Sequence, residues 1–198
     1  MNSSRWLIVG NGFTLVGLWA FQLALSSTPN GAFDLGLFGL LNRYLMIMTF
    51  LPGILFQGLI SFTSQENFEN ESLFKLAKQV TTLITYAIFM NMMVFSVTSY
   101  FGSDPVSKTL ANVVILVSLL SFAQLLNNFL GTKFVQNASF THWGISDVIL
   151  GFCLIFVAIF VSYFNLPFNV SLLGMLLAYS LSIAYLGNCL RRSIKIGK

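Results

Sequence analysis

Six runs of apolar residues, most of them about twenty residues long, leave this chain little choice of fold. They are Leu7–Leu25, Leu35–Phe62, Val80–Phe101, Leu110–Leu130, Ile145–Phe164 and Val170–Leu190. About 20 apolar residues in a helix cross a hydrocarbon core roughly 30 Å thick. The runs lack strict alternation and far exceed the ~10 residues of a barrel strand, so the pattern predicts helices. Polar or turn-forming segments separate them at 26–31, 65–78, 102–105, 132–143 and 165–169. Composition agrees: only 8% of the 198 residues are charged and 56% are hydrophobic, whereas a soluble domain carries about a quarter charged residues. A cytosolic globule and a disordered chain are both excluded. The expected fold is an all-α integral membrane protein, a single six-helix transmembrane bundle over residues 1–198.

Charge placement gives the expected orientation. With six spans, the N-terminus, the second and fourth loops and the C-terminus share one side. That side holds Arg5, Lys75, Lys78, Lys133, Arg191, Arg192, Lys195 and Lys198, against Lys108 alone on the other. Lys and Arg collect on the cytoplasmic side, so both termini are expected there. Adding or removing one span destroys the asymmetry. The first span is read as a retained helix, because its apolar core is longer than that of a signal peptide and Asn11, Thr14 and Gln22 interrupt it. In the loop that follows span two, acidic residues precede basic ones, and Phe68, Leu73, Leu76 and Val80 share a face. That spacing predicts a short amphipathic helix leading into span three, a solvated connector or a docking site.

Catalytic patterns are missing. The single histidine, His142, is placed in a loop beside Trp143, and metalloprotease, nucleophile-elbow, P-loop and dinucleotide-binding motifs are absent. Asp34 and Asp147 are read at helix ends and Asp104 in a turn, so no carboxylate pair occupies a span. Cys153 and Cys189 are read as buried small hydrophobes. The sequence predicts no enzyme, no metal site and no cofactor. One ionisable residue does fall inside a span: Arg43, about 12 Å beyond Leu35. A guanidinium there faces a wet cavity, with Asn42 as a second polar group, or snorkels to the outer headgroups. A cavity would suit an anionic group such as phosphate, which arginine binds bidentately. Asn11, Gln22, Gln57 and Asn91 are further polar residues within spans. Gln124, Asn127 and Asn128 stand at i, i+3 and i+4, one polar stripe that bridges helices or lines a sugar path. Pro52 and Gly53 predict a kink in span two, a possible gating point. Ala20 with Ala24, and Ser180 with Ala184, offer small packing faces.

The second span carries a family resemblance in Leu35-Gly36-Leu37-Phe38, Asn42-Arg43 and Phe50-Leu51-Pro52-Gly53-Ile54. These segments resemble the polysaccharide and O-antigen flippases of the multidrug/oligosaccharidyl-lipid/polysaccharide (MOP) exporter superfamily. Tyr100-Phe101-Gly102 is similar to the Tyr-Gly at the outer end of the third helix of a half, and Gly131 with the Lys133–His142 segment to the stretch after the fourth. Two departures stand out. Ser61 occupies a place where the family often has proline, and members usually have twelve or more helices in two six-helix bundles. The motif order resembles the C-terminal bundle, with no internal repeat between residues 1–100 and 101–198.

The resemblance implies one lobe of a flippase in a bacterial cytoplasmic (inner) membrane. Lipid-linked (polyprenyl-diphosphate) oligosaccharide would cross between two lobes by alternating access. Arg43 would attract the diphosphate or acidic sugars, and Asn42, Gln124, Asn127 and Asn128 would line the path. The second lobe would come from the same longer chain, the expected case, or from a separate chain or a homodimer. Membrane lipids are the other partners, and nucleic acid is not one. Two alternatives stand beside this reading: a non-transporting subunit or scaffold of polysaccharide assembly, and a lobe of a multidrug or cation exporter. The latter is disfavoured by the expected lack of an acidic residue deep in a span.

Overall fold

A computed structural model describes residues 3–46, 105–136 and 139–196, with scattered helical positions between 81 and 96. Among the described residues there are five helices: α1 (Ser3–Ser26), α2 (31–46), α3 (Pro105–Gln136), α4 (Phe140–Phe164) and α5 (Phe168–Ile196). Four contain segments long and apolar enough to cross a membrane, namely Arg5–Ser26, Ile115–Phe134, Phe140–Phe164 and Phe168–Arg192. The chain is an all-helical, multi-pass membrane protein. The kink residues Pro52 and Gly53, and the amphipathic segment at 65–78, lie outside the described residues.

The ends of the helices follow local chemistry. At the α1–α2 turn Asn30 precedes the first residue of α2 and its carbonyl accepts the Asp34 N–H at 3.0 Å. Gly31 is needed there, because a Cβ would run into the Ser26 carbonyl oxygen and lie 3.1 Å from that of Leu25. Thr28 Oγ1 donates to Asp34 Oδ2 at 2.9 Å, which ties the turn to the start of α2, where a carboxylate complements the helix dipole. Pro105 opens α3 at a position where its missing N–H costs nothing. At the end of α4, Asn165 takes the left-handed conformation (φ 49°, ψ 48°) and donates its N–H to the Val161 carbonyl, a cap that asparagine tolerates better than most residues.

Two boundaries differ from the sequence reading. α3 begins five residues before Leu110 and so takes in Lys108, which was expected in a loop. α4 begins five residues before Ile145, so His142 and Trp143 occupy its first turns and not a loop. Hydropathy registers only the residues suited to hydrocarbon, and both helices extend past that zone with polar turns.

The packing is organised by a seam between α1 and α4, which run parallel. Gly10 and Gly17 of α1 face Gly144 and Gly151 of α4. Seven residues are close to two helical turns, so each glycine pair lies on one face. A Cβ on Gly17 would lie 2.7 Å from the Gly151 carbonyl oxygen, and one on Gly144 would strike the Trp6 carbonyl oxygen. Phe13 stacks on Phe152 with ring centroids 5.2 Å apart, and Ser27 meets Ser162 at 3.3 Å farther along. α2 returns antiparallel against α1, with Phe21 and Phe38 in ring contact at 5.3 Å. α3 and α5 run antiparallel to α4: Gly131 lies under the Trp143 indole and Gly174 under Val157. Phe21, Leu41, Leu120, Leu154 and Leu172 belong to the shared apolar core. The outer surface is also apolar. Ile8 is 73% exposed and Trp19 68% exposed, an arrangement that lipid accommodates and water does not.

Two substitutions test the seam. Gly144→Ala should lower the unfolding midpoint, at an overpacking cost of about 1–3 kcal/mol. Gly12→Ala, where an added Cβ meets nothing within 4 Å, should leave stability unchanged or raise it by up to ~1 kcal/mol. Thermal unfolding in detergent, followed by a thiol-reactive dye at the half-buried Cys153 and Cys189, gives the comparison.

Candidate functional site

Polar groups inside membrane helices must find partners within the protein or line a wet space, and here they form two groups joined by α3. In the first, α3, α4 and α5 meet through three buried side chains. Ser182 Oγ donates to Asn127 Oδ1 at 2.8 Å and lies 2.5 Å from Ser146 Oγ. The serine hydroxyls also approach each other's main-chain carbonyls at 3.3 and 3.4 Å. Asn127 is 3% exposed and both serines are fully buried, so the two hydroxyls and the amide oxygen are engaged within the cluster.

Asp147, the next residue on α4, turns toward α1 and is 6% exposed. Its Cβ would lie 2.9 Å from a Cβ placed on Gly10. Thr14 Oγ1 donates to the Asp147 main-chain oxygen at 3.0 Å, and Tyr179 of α5 is within electrostatic range of the carboxylate. Asp147 is seven residues beyond Phe140, about 10 Å along the helix. The sequence reading placed it at a helix end; it stands two turns into α4, as the third residue of the apolar run Ile145–Phe164. The missed signal was the glycine spacing of seven, Gly10–Gly17 in the first run and Gly144–Gly151 across the start of the fifth, which ties Gly144 and its neighbours to the helix.

The second group lies on the other side of α3. Tyr44 of α2 donates its hydroxyl to Asn91 Oδ1 at 2.5 Å, and Ser118 Oγ donates to the same atom at 2.9 Å. Ser121 Oγ, one turn on from Ser118, donates to the Val117 carbonyl at 2.7 Å. Gln124 Oε1 and the Tyr86 hydroxyl are buried with no hydrogen-bond partner among the described residues. Ser118, Ser121, Gln124 and Asn127 climb α3 in steps of three. Over about 13 Å of rise the strip turns to the opposite side of the helix, which is why its two ends serve different neighbours.

The residues singled out from sequence do not converge on one cavity. Gln124 is half-buried and Asn127 buried in the serine cluster, while Asn128 is exposed. On α2 the buried face comprises Asp34, Leu37, Phe38, Leu41 and Leu45. Asn42 is half-buried beside it, and Arg43 is exposed together with Gly36, Gly39 and Leu40. An added Cβ would meet nothing within 4 Å at Gly36 or Gly39, so that side of α2 is open. Tyr44, Ser118, Ser121, Ser146 and Ser182 were missed: serine hydroxyls in apolar runs carry no periodic signal until their partners are known.

At the end of the bundle where α1 and α4 begin and α3 and α5 finish, basic and aromatic residues gather. Lys133 lies over the Phe129 ring at 5.7 Å. His142 stacks obliquely on Phe134, with its Nδ1 3.4 Å from the Tyr185 hydroxyl. Arg191 and Arg192 are exposed close by in sequence to Leu190, which packs in the same apolar cluster as Phe134. Among the described residues no three potential metal ligands come together. Neither a family model, a curated protein nor a solved structure matches the chain.

The two polar groups should respond differently to truncation. Ser182→Ala leaves Asn127 without its donor and should destabilise the protein by about 0.6–2 kcal/mol. Gln124→Leu removes an unpartnered buried acceptor and should be neutral or stabilising. Unfolding midpoints of the two variants in the same detergent test this.

Proposed function

We propose that this chain forms one six-helix lobe of a flippase that moves polyprenyl-diphosphate-linked oligosaccharide, such as O-antigen units, across the bacterial cytoplasmic membrane by alternating access. The observation that carries the reading is the position of Arg43. It lies twelve residues beyond Gly31, about 18 Å along α2, and faces away from the core beside two open glycines. Lipid is a poor neighbour for a guanidinium at that depth. A second lobe with a wet cleft between the two supplies a better one, and a diphosphate in the cleft would accept a bidentate contact. Asn42 on the same helix and the unpartnered Gln124 amide oxygen would serve sugar hydroxyls.

Helix directions support six crossings. α2 and α3 point the same way, opposite to α1 and α4, which fits a reading in which the apolar run 80–101 of the sequence supplies a crossing between them. Arg5, Lys133, Arg191 and Arg192 then fall at one end, which supports cytoplasmic termini. The Asn127–Ser146–Ser182 cluster favours the alternative of a non-transporting assembly subunit at that level of the bundle, because both serine hydroxyls and the Asn127 amide oxygen are already engaged. The buried Asp147 removes the sequence argument against a cation-exporting lobe.

Arg43 separates these readings. In inverted membrane vesicles, Arg43→Ala should reduce delivery of lipid-linked oligosaccharide to the lumenal leaflet about tenfold or more, as loss of a charge-assisted contact implies. Arg43→Lys should retain part of it. Both variants should unfold at the wild-type temperature. Unchanged delivery, or loss of folding in Arg43→Ala, would point to a structural arginine and a scaffold.

A further inference from the structure

Asp147 has no role in the reading above, yet it is the most buried carboxyl described in a membrane-crossing helix. Each element packed around it can be searched for a compensating charge. α1 presents Gly10 and Thr14, and the threonine hydroxyl is committed to the main-chain oxygen of Asp147. α5 presents Tyr179 and Ser182, the latter committed to Asn127 and Ser146. α3 contributes Asn127, whose amide oxygen is committed to Ser182. Two basic side chains at the near end are occupied elsewhere, Lys133 against the Phe129 ring and His142 against Tyr185. No positive charge faces the carboxyl among the described residues.

An ionised carboxylate held among apolar helices without a cation is costly, and the neutral acid fits the site better. Removing the proton in place then requires a change in the surroundings, such as water entering along the seam. The nearest end of α4 is about 10 Å away along the helix axis. The apolar run begins at Ile145, only two residues before it, so a short file of water along the polar first turns would connect the group to that membrane face. The glycines opposite make room: Gly10 and Gly144 bring the α1 and α4 backbones together beside the carboxyl, so a small separation of the two helices would open the side chain to solvent.

We propose that Asp147 is a proton-binding site within the bundle, protonated while α1 and α4 are closed and exchanging its proton with water on the side where α4 begins. The bound species is H+ itself: the carboxylate oxygen accepts it from hydronium and returns it to water. This site is independent of the substrate assigned to Arg43, and its test needs no transport.

Infrared titration of the full chain in lipid should show a protonated-carboxyl C=O band that is absent in Asp147→Asn and persists in Asp34→Asn. Its intensity should fall about tenfold per pH unit on the alkaline side of its titration. Dicyclohexylcarbodiimide, which modifies protonated carboxyls in apolar surroundings, should label Asp147 in the wild-type protein, with the site located by peptide mass spectrometry. This second measurement stands if Asp147→Asn fails to fold. A folded wild-type protein with neither band nor label would overturn the proposal. So would a band and label suppressed by Na+ at constant pH, which would assign the carboxyl to a metal cation.

Discussion

Backbone contact between α1 and α4 sets the geometry of everything else in the bundle. Between helices surrounded by lipid, burying leucine against leucine gains little over burying it against acyl chains. What remains is the closeness of approach, and four glycines at matching seven-residue intervals permit it. The seam fixes α1 parallel to α4. The short α1–α2 turn then carries α2 back along α1, while the Asn165 cap folds α5 back along α4. The Asp147 Cβ fits against this seam because Gly10 carries no side chain there.

Around the seam, polar groups are placed according to how completely they can be paired. Where three helices converge, the Asn127 amide oxygen and the Ser146 and Ser182 hydroxyls hydrogen-bond one another and act as an internal tie. On the far side of α3, the Tyr44–Asn91–Ser118 contact is followed nearly two turns later by a glutamine whose carbonyl oxygen meets no donor among the described residues. The same helix therefore has a finished end and an unfinished one. The finished end holds the lobe together, and the unfinished end is the side on which a hydroxyl-bearing substrate would find a use for the amide.

The architecture was legible in the sequence at the level that hydropathy reads. Leu7–Leu25, Ile145–Phe164 and Val170–Leu190 all lie within helices that begin or end a few residues away. The polar strip on α3 was visible as spacing, but its division was not: Asn127 and Asn128 differ by one position and by 100° of rotation, and only the neighbours decide which one is buried. Arg43 was read as an unusual charge, while the side it faces depends on how α2 lies against α1. Asp147 was hidden by a boundary. The polar stretch Thr141–Gly144 lowers local hydropathy, so the run appeared to start at Ile145 and its third residue looked like a helix end. The parallel seam is a contact between residues 133 or more apart, and no window along the chain can register it.

That separation has a consequence in time. Ribosomes deliver roughly 5–20 residues per second, so α1 is complete some 7–27 s before the part of α4 that it packs against has been made. Throughout that interval the bare backbone at Gly10 and Gly17 lacks its α4 partner, while the Thr28–Asp34 bond and the Phe21–Phe38 contact hold the first hairpin closed. Any factor in the membrane that accompanies newly made helices has a long and well-defined interval in which to occupy the glycine face, and α4 must displace it on arrival.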